Sequence, residues 1–494
     1  MESEEIKLQI INEGTFSLAK GENVLSVLIR HNLFDVSHCG GHGTCGKCAV
    51  RIKSGAPLPK PGDRRRFTPK QLREGWRLAC LAKPQQDCVV EATSLKKSDF
   101  IMDYSLLTGE MSFETCVSPA EGEETENVKE TIVVGDLGTT TIVLLLVEPE
   151  SGKVIDTFRA MNPQRKYGAD VISRMEAALE GKDGELSEMV KGCAEEPVKR
   201  WIAQGYAPER IVLAGNTVMT HLFAGYDVSG LAKAPFTPVT TEPVMTQLCD
   251  IPCVLLPGIS AFVGGDITAG ILACREQMNI EHAETALLID LGTNGELALM
   301  GKDGVLCTAT AAGPAFEGGF AAQIPGSDVI AMAAELLEKG RMDETGLLAG
   351  PYFESGVPYG ELTIRQEDIR NLQMAKAAVF AGIRILLEES GRRADEVQRV
   401  YLAGGFGYKL DVEAACKIGL IPDSWRERTI AVGNAALAGA YLYGKELSRQ
   451  AGNGVVETEA VKKIKRNTKS INLAEREAFD AYYLQAMELK KKGI

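Results

Sequence analysis

Four cysteines near the start of the chain have the spacing of an iron–sulfur site. Cys39, Cys45 and Cys48 lie in the glycine-rich segment HCGGHGTCGKC, and Cys80 ends the segment GWRLAC. A two-iron cluster is held by four cysteine thiolates, and here three come from one loop and the fourth lies far along the chain. The first gap is one residue longer than in plant-type ferredoxins, but the second gap and the distant fourth cysteine are kept. The spacing therefore predicts a 2Fe-2S site with these four metal ligands.

The residues between the cysteines suit such a site. Four glycines allow positive φ angles and let amide N–H groups approach sulfur: Gly40, Gly41, Gly43 and Gly46. The alternatives are a structural zinc site or unrelated buried thiols. Zinc sites more often pair their ligands in two short CxxC knuckles, whereas three of these cysteines share one loop. His38 and His42 flank the loop, but Rieske-type ligation replaces two cysteines, and four cysteines already suffice.

Length and composition limit the remaining possibilities. A chain of 494 residues with 45% apolar and 24% charged residues predicts two to four globular domains. No apolar run approaches the roughly 20 residues that cross a bilayer, and MESEEIKLQI lacks the features of a signal peptide. We therefore expect a cytoplasmic protein that does not act in a membrane. Of its twelve cysteines, four would hold the cluster and eight would be reduced, buried thiols.

The net charge of −13 argues against nucleic-acid binding, which needs a basic surface. Partners should be proteins or small molecules. Basic clusters occur at residues 64–66, 462–466 and 490–492, and such clusters are most often solvated surface.

Patterning divides the chain into four parts. Residues 1–95 predict a small α+β domain of the β-grasp, ferredoxin-like type, with IKLQI and TFSL as a hairpin and ENVLSVLIRHNL as a helix. Residues 96–130 lose periodicity and contain EGEETENVKE, which indicates an acidic linker. Residues 131–450 predict a long α/β region. Residues 451–494 predict a C-terminal extension with a docking helix that has Phe479, Tyr483 and Met487 on one face.

The α/β region contains the same turn twice, which predicts a duplicated fold with halves at about 131–283 and 284–450. GDLGTTT and IDLGTNGE both place Asp-Leu-Gly-Thr between two strand-like runs. Such a turn presents amides and hydroxyls to a phosphate, and its aspartate can hold hydrated Mg²⁺. Asp136 and Asp290 are the two aspartates. The predicted nucleotide-binding residues beside them are Gly138, Thr139, Thr140, Gly292, Thr293, Asn294 and Gly295.

These motifs resemble those of the superfamily of acetate and sugar kinases, heat-shock ATPases and actin. The two turns resemble its two phosphate motifs. The segment VYLAGGFG, with Gly404 and Gly405, resembles its adenosine motif. The segment GPAFEGG, with Gly318 and Gly319, resembles a loop that approaches the nucleotide. FVGGDITAGIL and AVGNAALAGAYL resemble its two connecting helices. Small residues would let these helices cross closely at a hinge: Gly264, Gly265, Ala269, Gly270, Ala435, Ala436 and Gly439. The resemblance implies an actin-like ATPase domain of two ribonuclease-H-like halves that binds ATP and Mg²⁺.

The resemblance also implies catalytic roles for Asp136, Asp290 and Asp266, the last in the first connecting helix. For Asp266, an equal alternative is a helix N-cap. A role as a helix N-cap would also account for Asn216 and Asp170, and neither residue is predicted to be catalytic.

The whole order, a ferredoxin domain, a linker and this ATPase domain, resembles the reductive activators of corrinoid proteins. NPQRKYGADVISRM, LAGNTVMTHLFAG and IDLGTNGELAL are similar to signatures of that family. The resemblance implies ATP-dependent reduction of Co(II) to Co(I) in a corrinoid protein of a methyltransferase system. An external low-potential electron donor and a homodimer are also implied. Many family members have a further domain after the linker, and we expect that domain to be missing here.

Other functions remain open at this point. An activator of another low-potential enzyme keeps the ATPase but changes the electron acceptor. A redox sensor would use the cluster to control nucleotide-dependent binding, and a small-molecule kinase would use the ATPase fold alone.

Overall fold

The computed structural model describes residues 5–11, 13–30, 33, 43, 48–91, 129–277, 284–292, 294–312, 326–359, 362–404, 410–450 and 456–490. The chain forms two compact units. One lies within residues 1–101 and 161–181, and the other within residues 102–160 and 182–494.

The N-terminal domain is a mixed sheet with short helices. Its elements are β1 (Glu5–Ile10), β2 (Gly14–Ala19), α1 (Val24–Arg30), β3 (Ala49–Ser54), α2 (Pro61–Arg66), α3 (Pro69–Arg73), β4 (Trp76–Leu78) and β5 (Cys88–Glu91). The strand order is β2-β1-β5-β3-β4. β1 and β2 form the predicted antiparallel hairpin, and β1 runs parallel to β5. Val24, Val27 and Leu28 lie on one face of α1 and are fully buried in the core of the domain, which is the predicted α+β arrangement.

The first half of the α/β region contains a six-stranded sheet in the order β10-β11-β9-β6-β7-β8. Its elements are β6 (Lys129–Leu137), β7 (Thr141–Val147), β8 (Val154–Met161), α4 (Val171–Ala177), α5 (Asp183–Ala203), β9 (Tyr206–Ala214), α6 (Thr217–Ala224), α7 (Ser229–Ala232), β10 (Val244–Leu248), β11 (Ile251–Leu255) and α8 (Gly265–Gln277).

The second half contains another six-stranded sheet, in the order β18-β17-β12-β13-β14-β19. Its elements are β12 (Ala286–Leu291), β13 (Gly295–Gly301), β14 (Gly304–Thr310), α9 (Gly326–Glu338), α10 (Gly350–Ser355), β15 (Val357–Tyr359), β16 (Leu362–Ile364), α11 (Gln366–Ser390), β17 (Arg399–Ala403), α12 (Val412–Lys417), β18 (Thr429–Gly433), α13 (Ala435–Arg449), α14 (Glu459–Arg466), β19 (Thr468–Ser470) and α15 (Ala478–Gln485). Single turns of 3-10 or π helix lie at Pro163–Lys166, Ala178–Lys182, Ala394–Glu396, Asp423–Arg428 and Leu473–Glu475.

The two halves repeat the same strand pairing, which confirms the predicted duplication. β6 pairs antiparallel with β7 and parallel with β9, and β12 pairs antiparallel with β13 and parallel with β17. Asp136 lies beside Ala214 near the end of one central pair, and Asp290 lies beside Ala403 in the other. Each aspartate therefore lies at the carboxyl end of the central strand of its sheet, where α/β folds place their ligands.

The helices α8 and α13 connect the two halves through one shared core. Apolar residues of both sheets join these helices in a single buried cluster. At the crossing, a Cβ atom on Gly439 would overlap the carbonyl oxygen of Ala269 and lie 2.5 Å from its Cα. A Cβ on Gly270 would lie 2.9 Å from Leu288 of β12, and one on Gly444 would lie 2.7 Å from Val134 of β6. Small residues thus let the helices meet each other and the sheets, as predicted.

The C-terminal part completes the second half. β19 pairs parallel with β14 at the edge of the sheet. Tyr483 and Met487 pack with Phe380 of α11, and Phe479 packs against the core of the second half. Buried Lys376 of α11 donates a hydrogen bond of 2.5 Å to the carbonyl of Glu488, which ties down the chain beyond α15.

Candidate functional site

Two of the four predicted cluster ligands lie within the described residues, and the fold brings them together. Cys48 directly precedes β3 and Cys80 follows β4, and each side chain is 4% exposed. Their Sγ atoms are 3.3 Å apart, although 32 residues separate them in sequence. Two thiolates on one tetrahedral metal with metal–sulfur bonds of about 2.3 Å would be about 3.8 Å apart. The observed distance is about 0.5 Å shorter than this, so the two side chains could share one iron after a small outward movement. Cys39 and Cys45 lie outside the described residues.

The backbone around these thiols is held by a network that sequence reasoning missed. The amide of Ala79 donates to the carbonyl of Cys48 (2.7 Å), so the two cysteine segments are joined directly. Buried Asp63 accepts hydrogen bonds from the amides of Leu78 and Lys60, both at 2.7 Å. The only sequence signal for this role was an acidic residue directly after the Pro61-Gly62 pair.

Arg77 supports the same corner of the domain. Its guanidinium donates to the carbonyls of Pro57 (2.8 Å) and Leu72 (3.0 Å). Burial lowers the pKa of Arg77, and the charge of Asp63 opposes that change. Gly43, inside the cysteine loop, has φ +71°, and a Cβ there would lie 2.5 Å from Leu81. This position therefore requires glycine for both its conformation and its space.

The first phosphate turn connects β6 to β7. A Cβ on Gly138 would lie 2.5 Å from the carbonyl oxygen of Thr141, so the turn is too tight for a larger residue. Thr139 is buried, and its Oγ1 accepts a hydrogen bond of 2.9 Å from Nδ2 of Asn216. Asp136 is partly exposed, and its Oδ2 accepts a hydrogen bond of 2.7 Å from Nδ2 of Asn434. Thr140 follows in the same turn.

The second phosphate turn connects β12 to β13 and lies beside the adenosine motif. The amide of Gly292 donates to the carbonyl of Asn294 (2.9 Å), which closes the turn, and Gly295 begins β13. Gly404 has φ +104°, and a Cβ there would lie 2.9 Å from Oδ1 of Asp290. The glycine thus lets the end of β17 approach this carboxylate. Four other predicted nucleotide residues lie outside the described residues: Thr293, Gly318, Gly319 and Gly405.

Asp266 lies in the first turn of α8. Its Oδ1 accepts the Ile267 amide (2.8 Å), and its own amide donates to the carbonyl of Gly215 (3.2 Å). Burial raises the pKa of Asp266 to about 6, and hydrogen bonds from backbone amides partly oppose this. A Cβ on Gly264 would lie 2.5 Å from the Thr217 amide, so α8 begins against the start of α6. The carboxylate therefore accepts a hydrogen bond within the first turn of α8, which begins at Gly265.

Asparagine caps connect these features. Asn216 caps α6 by accepting the Met219 amide (2.9 Å), so it both caps a helix and orients Thr139. The sequence predicted the cap, and a position at the mouth of the nucleotide site as an equal alternative, but not the hydrogen bond to Thr139. Asn434 was missed altogether, although it directly precedes the small-residue helix α13. Asp170 caps α4 by accepting a hydrogen bond from the Ser173 amide (2.8 Å), which is the capping role expected from the sequence.

The cysteines outside the cluster are largely buried thiols. Cys88, Cys253, Cys274, Cys307 and Cys416 are buried, whereas Cys193 and Cys249 are half-buried. Burial raises the pKa of Cys88 and Cys193 to about 11. Cys116 lies outside the described residues. No disulfide joins any of these seven described thiols, which fits their prediction as reduced residues, and two are less buried than expected.

Comparison with known proteins assigns both parts of the chain to characterised domains. A 2Fe-2S iron-sulfur cluster binding domain matches residues 10–85. The RACo middle region matches residues 132–279, and the C-terminal domain of RACo, the ASKHA domain, matches residues 284–323 and 321–494. No helix among the described residues has both the length and the apolar character needed to cross a bilayer.

Individual relatives agree with these domains. The corrinoid activation enzyme RamQ of Eubacterium limosum is 28% identical over an alignment of 391 residues, and the match covers 64% of this chain and 65% of RamQ. The chain thus spans just under two thirds of that relative. A component of the Na(+)-translocating NADH-quinone reductase of Chlamydia felis (strain Fe/C-56) is 40% identical over 87 residues, 17% of this chain and 20% of that component. A solved reductive activator for corrinoid, iron-sulfur protein has a TM-score of 0.63 and 25% identity, with 98% of both chains covered.

The fold and the two sites define a class of proteins in which a 2Fe-2S domain is joined to an ASKHA domain, the fold of the kinase, heat-shock ATPase and actin superfamily. Within that class the chain belongs to the RACo family, since RACo domains match residues 132–279 and 284–494.

The expectation that a middle domain is missing is wrong. The RACo middle region matches residues 132–279, which are the first half of the duplicated fold from β6 to α8. This half has its own sheet and so forms a recognisable region, although its phosphate turn follows directly after the linker.

Proposed function

We propose that this protein is an ATP-dependent reductive activator of a corrinoid protein in a methyltransferase system. One observation supports this most strongly: a close cysteine pair and two duplicated Asp-Leu-Gly-Thr turns lie on one chain of the RACo family. The names of RamQ and of the solved reductive activator point to the same activity. In the proposed reaction, corrinoid Co(II) gains one electron and becomes Co(I), and the reduced protein loses one electron.

The cysteines provide the electron-transfer site. Cys39, Cys45, Cys48 and Cys80 would hold a 2Fe-2S cluster, which supplies one-electron chemistry at low potential when bound. The fold supports this by keeping two thiols 3.3 Å apart and by fixing their segments through the Ala79 amide. An external low-potential donor returns the electron after each reduction.

The two Asp-Leu-Gly-Thr turns provide the nucleotide site. Asp136 and Asp290, from the two halves, would hold the hydrated Mg²⁺ of ATP, and the two turns would bind the phosphates through backbone amides. Asp266, with its raised pKa, would accept a proton from the attacking water during hydrolysis. Both Asp136 and Asp290 are partly exposed, so a ligand can reach them.

ATP is required because the electron must move uphill. A plant-type 2Fe-2S centre has a potential near about −400 mV, and moving one electron against a further 100 mV costs about 2.3 kcal/mol. ATP can supply this only if it binds one conformation of the protein or its complex more tightly than another. The helices α8 and α13 cross closely and share one buried core with both sheets, so their crossing can carry such a change.

The proposed partners are the corrinoid protein and the external electron donor. A homodimer formed through the ASKHA domain and a cytoplasmic location are part of the same proposal.

The ATP requirement gives the first test. Dithionite-reduced protein is mixed with a Co(II) corrinoid protein, with and without Mg·ATP, and the absorption band of Co(I) is recorded. We expect Co(I) only when ATP is present. Equal formation of Co(I) without ATP would contradict the proposal.

A further inference from the structure

Asn434 makes two hydrogen bonds that join a helix start to a phosphate turn. As the N-cap of α13, its Oδ1 accepts the Leu437 amide at 2.8 Å. Its Nδ2 donates to Oδ2 of Asp136 at 2.7 Å, although the two residues are 298 positions apart. Both ends of the amide are therefore engaged, and its orientation is fixed.

The residue before Asn434 contacts the other half of the site. Gly433 ends β18, and its carbonyl accepts the amide of Gly404 at 3.0 Å. Gly404 in turn lies against the carboxylate of Asp290. The pair Gly433–Asn434 thus connects the aspartate of one phosphate turn to the aspartate of the other.

We propose that Asn434 is a positioning residue that sets the Asp136 carboxylate for the metal of bound Mg·ATP. It couples the start of the connecting helix α13 to the metal site. The inference rests on the proposed function, in which Asp136 and Asp290 hold that metal.

Capping alone does not explain asparagine at this position. A cap uses only the side-chain oxygen, and serine or aspartate caps a helix about as well as asparagine. The second bond needs a donor that reaches the Asp136 carboxylate. Aspartate has no donor and the serine hydroxyl is on a shorter side chain, whereas the Nδ2 of asparagine donates while its Oδ1 caps the helix. Hydrogen bonds to a charged group are stronger than neutral ones, so this bond can hold the carboxylate in one orientation.

The test replaces the donor and keeps the cap. Asn434→Ser retains an N-cap oxygen but is too short to keep the bond to Asp136. We expect the Kd of Mg·ATP, measured by calorimetry on the full chain, to rise about tenfold. The Kd of ATP in EDTA should not change, since the proposed role acts through the metal. An equal loss of affinity in EDTA would overturn the proposal.

Asn472→Ser is the matched control. Asn472 is also a half-buried cap whose Nδ2 donates to a carboxylate, that of Glu475 at 2.9 Å. It lies outside the nucleotide residues, and we expect its Kd for Mg·ATP to match that of the unmodified protein. If Asn472→Ser also lowered the affinity for Mg·ATP tenfold, the loss in Asn434→Ser would be a general effect of changing a helix cap, with no role for Asp136.

A double-mutant cycle separates this inference from the proposed function. If Asn434 acts through Asp136, Asn434→Ser adds nothing to the affinity loss of Asp136→Ala. If the affinity losses of the two single variants multiply in the double variant, the positioning role of Asn434 is wrong. If Asp136→Ala binds Mg·ATP normally, the proposed nucleotide site and this inference both fall. If Asp136→Ala loses affinity and Asn434→Ser does not, only the role of Asn434 is wrong.

Discussion

A Cys80→Ala protein is expected to lose the visible absorption of the cluster and all ATP-dependent formation of Co(I). The substitution removes a thiol whose Sγ lies 3.3 Å from the Sγ of Cys48, and with it one of the four proposed cluster ligands. Mg·ATP binding should be unchanged, because the nucleotide site is formed by other residues. Iron content, the absorption spectrum and the Kd of Mg·ATP, measured on the same anaerobically reconstituted sample, check all three expectations.

Cys88→Ala is the matched control for this experiment. Cys88 belongs to the same domain, is 2% exposed in β5 and keeps its proton, since burial raises its pKa to about 11. The variant should retain the cluster and the activity, apart from a small loss of stability. Co(I) formation by Cys80→Ala at the normal rate, or the same loss of iron in both variants, would contradict the assignment of Cys80.

Gly439→Ala is expected to destabilise the ATPase domain strongly and to remove the effect of ATP on reduction. The added Cβ would overlap the backbone carbonyl of Ala269, so the crossing helices α8 and α13 must separate. Backbone atoms cannot move aside as a side chain can, and we expect a loss of roughly 2–4 kcal/mol in the free energy of unfolding. Urea denaturation measures this loss, and the Co(I) assay with and without ATP measures the coupling.

Gly192→Ala tests whether the loss of stability in Gly439→Ala comes from the helix crossing or from any glycine-to-alanine change in a helix. Gly192 lies inside α5, and a Cβ there would meet nothing within 4 Å. Because alanine favours a helix over glycine by about 1 kcal/mol, this variant should be slightly more stable. Similar stability of Gly439→Ala and the unmodified protein would show that the helices are not tightly packed at this point.

The parts of the fold that sequence predicted correctly depend on local patterns. The hairpin β1–β2, the helix α1 and the duplicated Asp-Leu-Gly-Thr turns each depend on residues close together in the chain. The close approach of Cys48 and Cys80 could be predicted because the chemistry of a two-iron site requires it.

The parts that sequence could not predict depend on distant partners. Asn434 and Asp136 are 298 residues apart, and nothing beside either residue indicates their hydrogen bond. Asp63 lies between a Pro-Gly pair and three arginines, a polar sequence context, but it is 1% exposed and accepts a hydrogen bond from the Leu78 amide. From the sequence we expect the middle domain to be missing, because a phosphate turn follows directly after the linker. The position of one turn does not show where a family model sets its domain boundaries, and the RACo middle region includes that turn.

The central claim is that ATP drives an electron from this chain's cluster to corrinoid cobalt. The most direct measurement mixes pre-reduced protein, freed of reductant, with Co(II) corrinoid protein and follows the cluster and Co(I) bands in one cuvette. With Mg·ATP, the account predicts that one Co(I) forms for each cluster oxidised, at the same rate, and that neither change occurs without ATP. Co(I) formation without cluster oxidation, or cluster oxidation at the same rate without ATP, would contradict it.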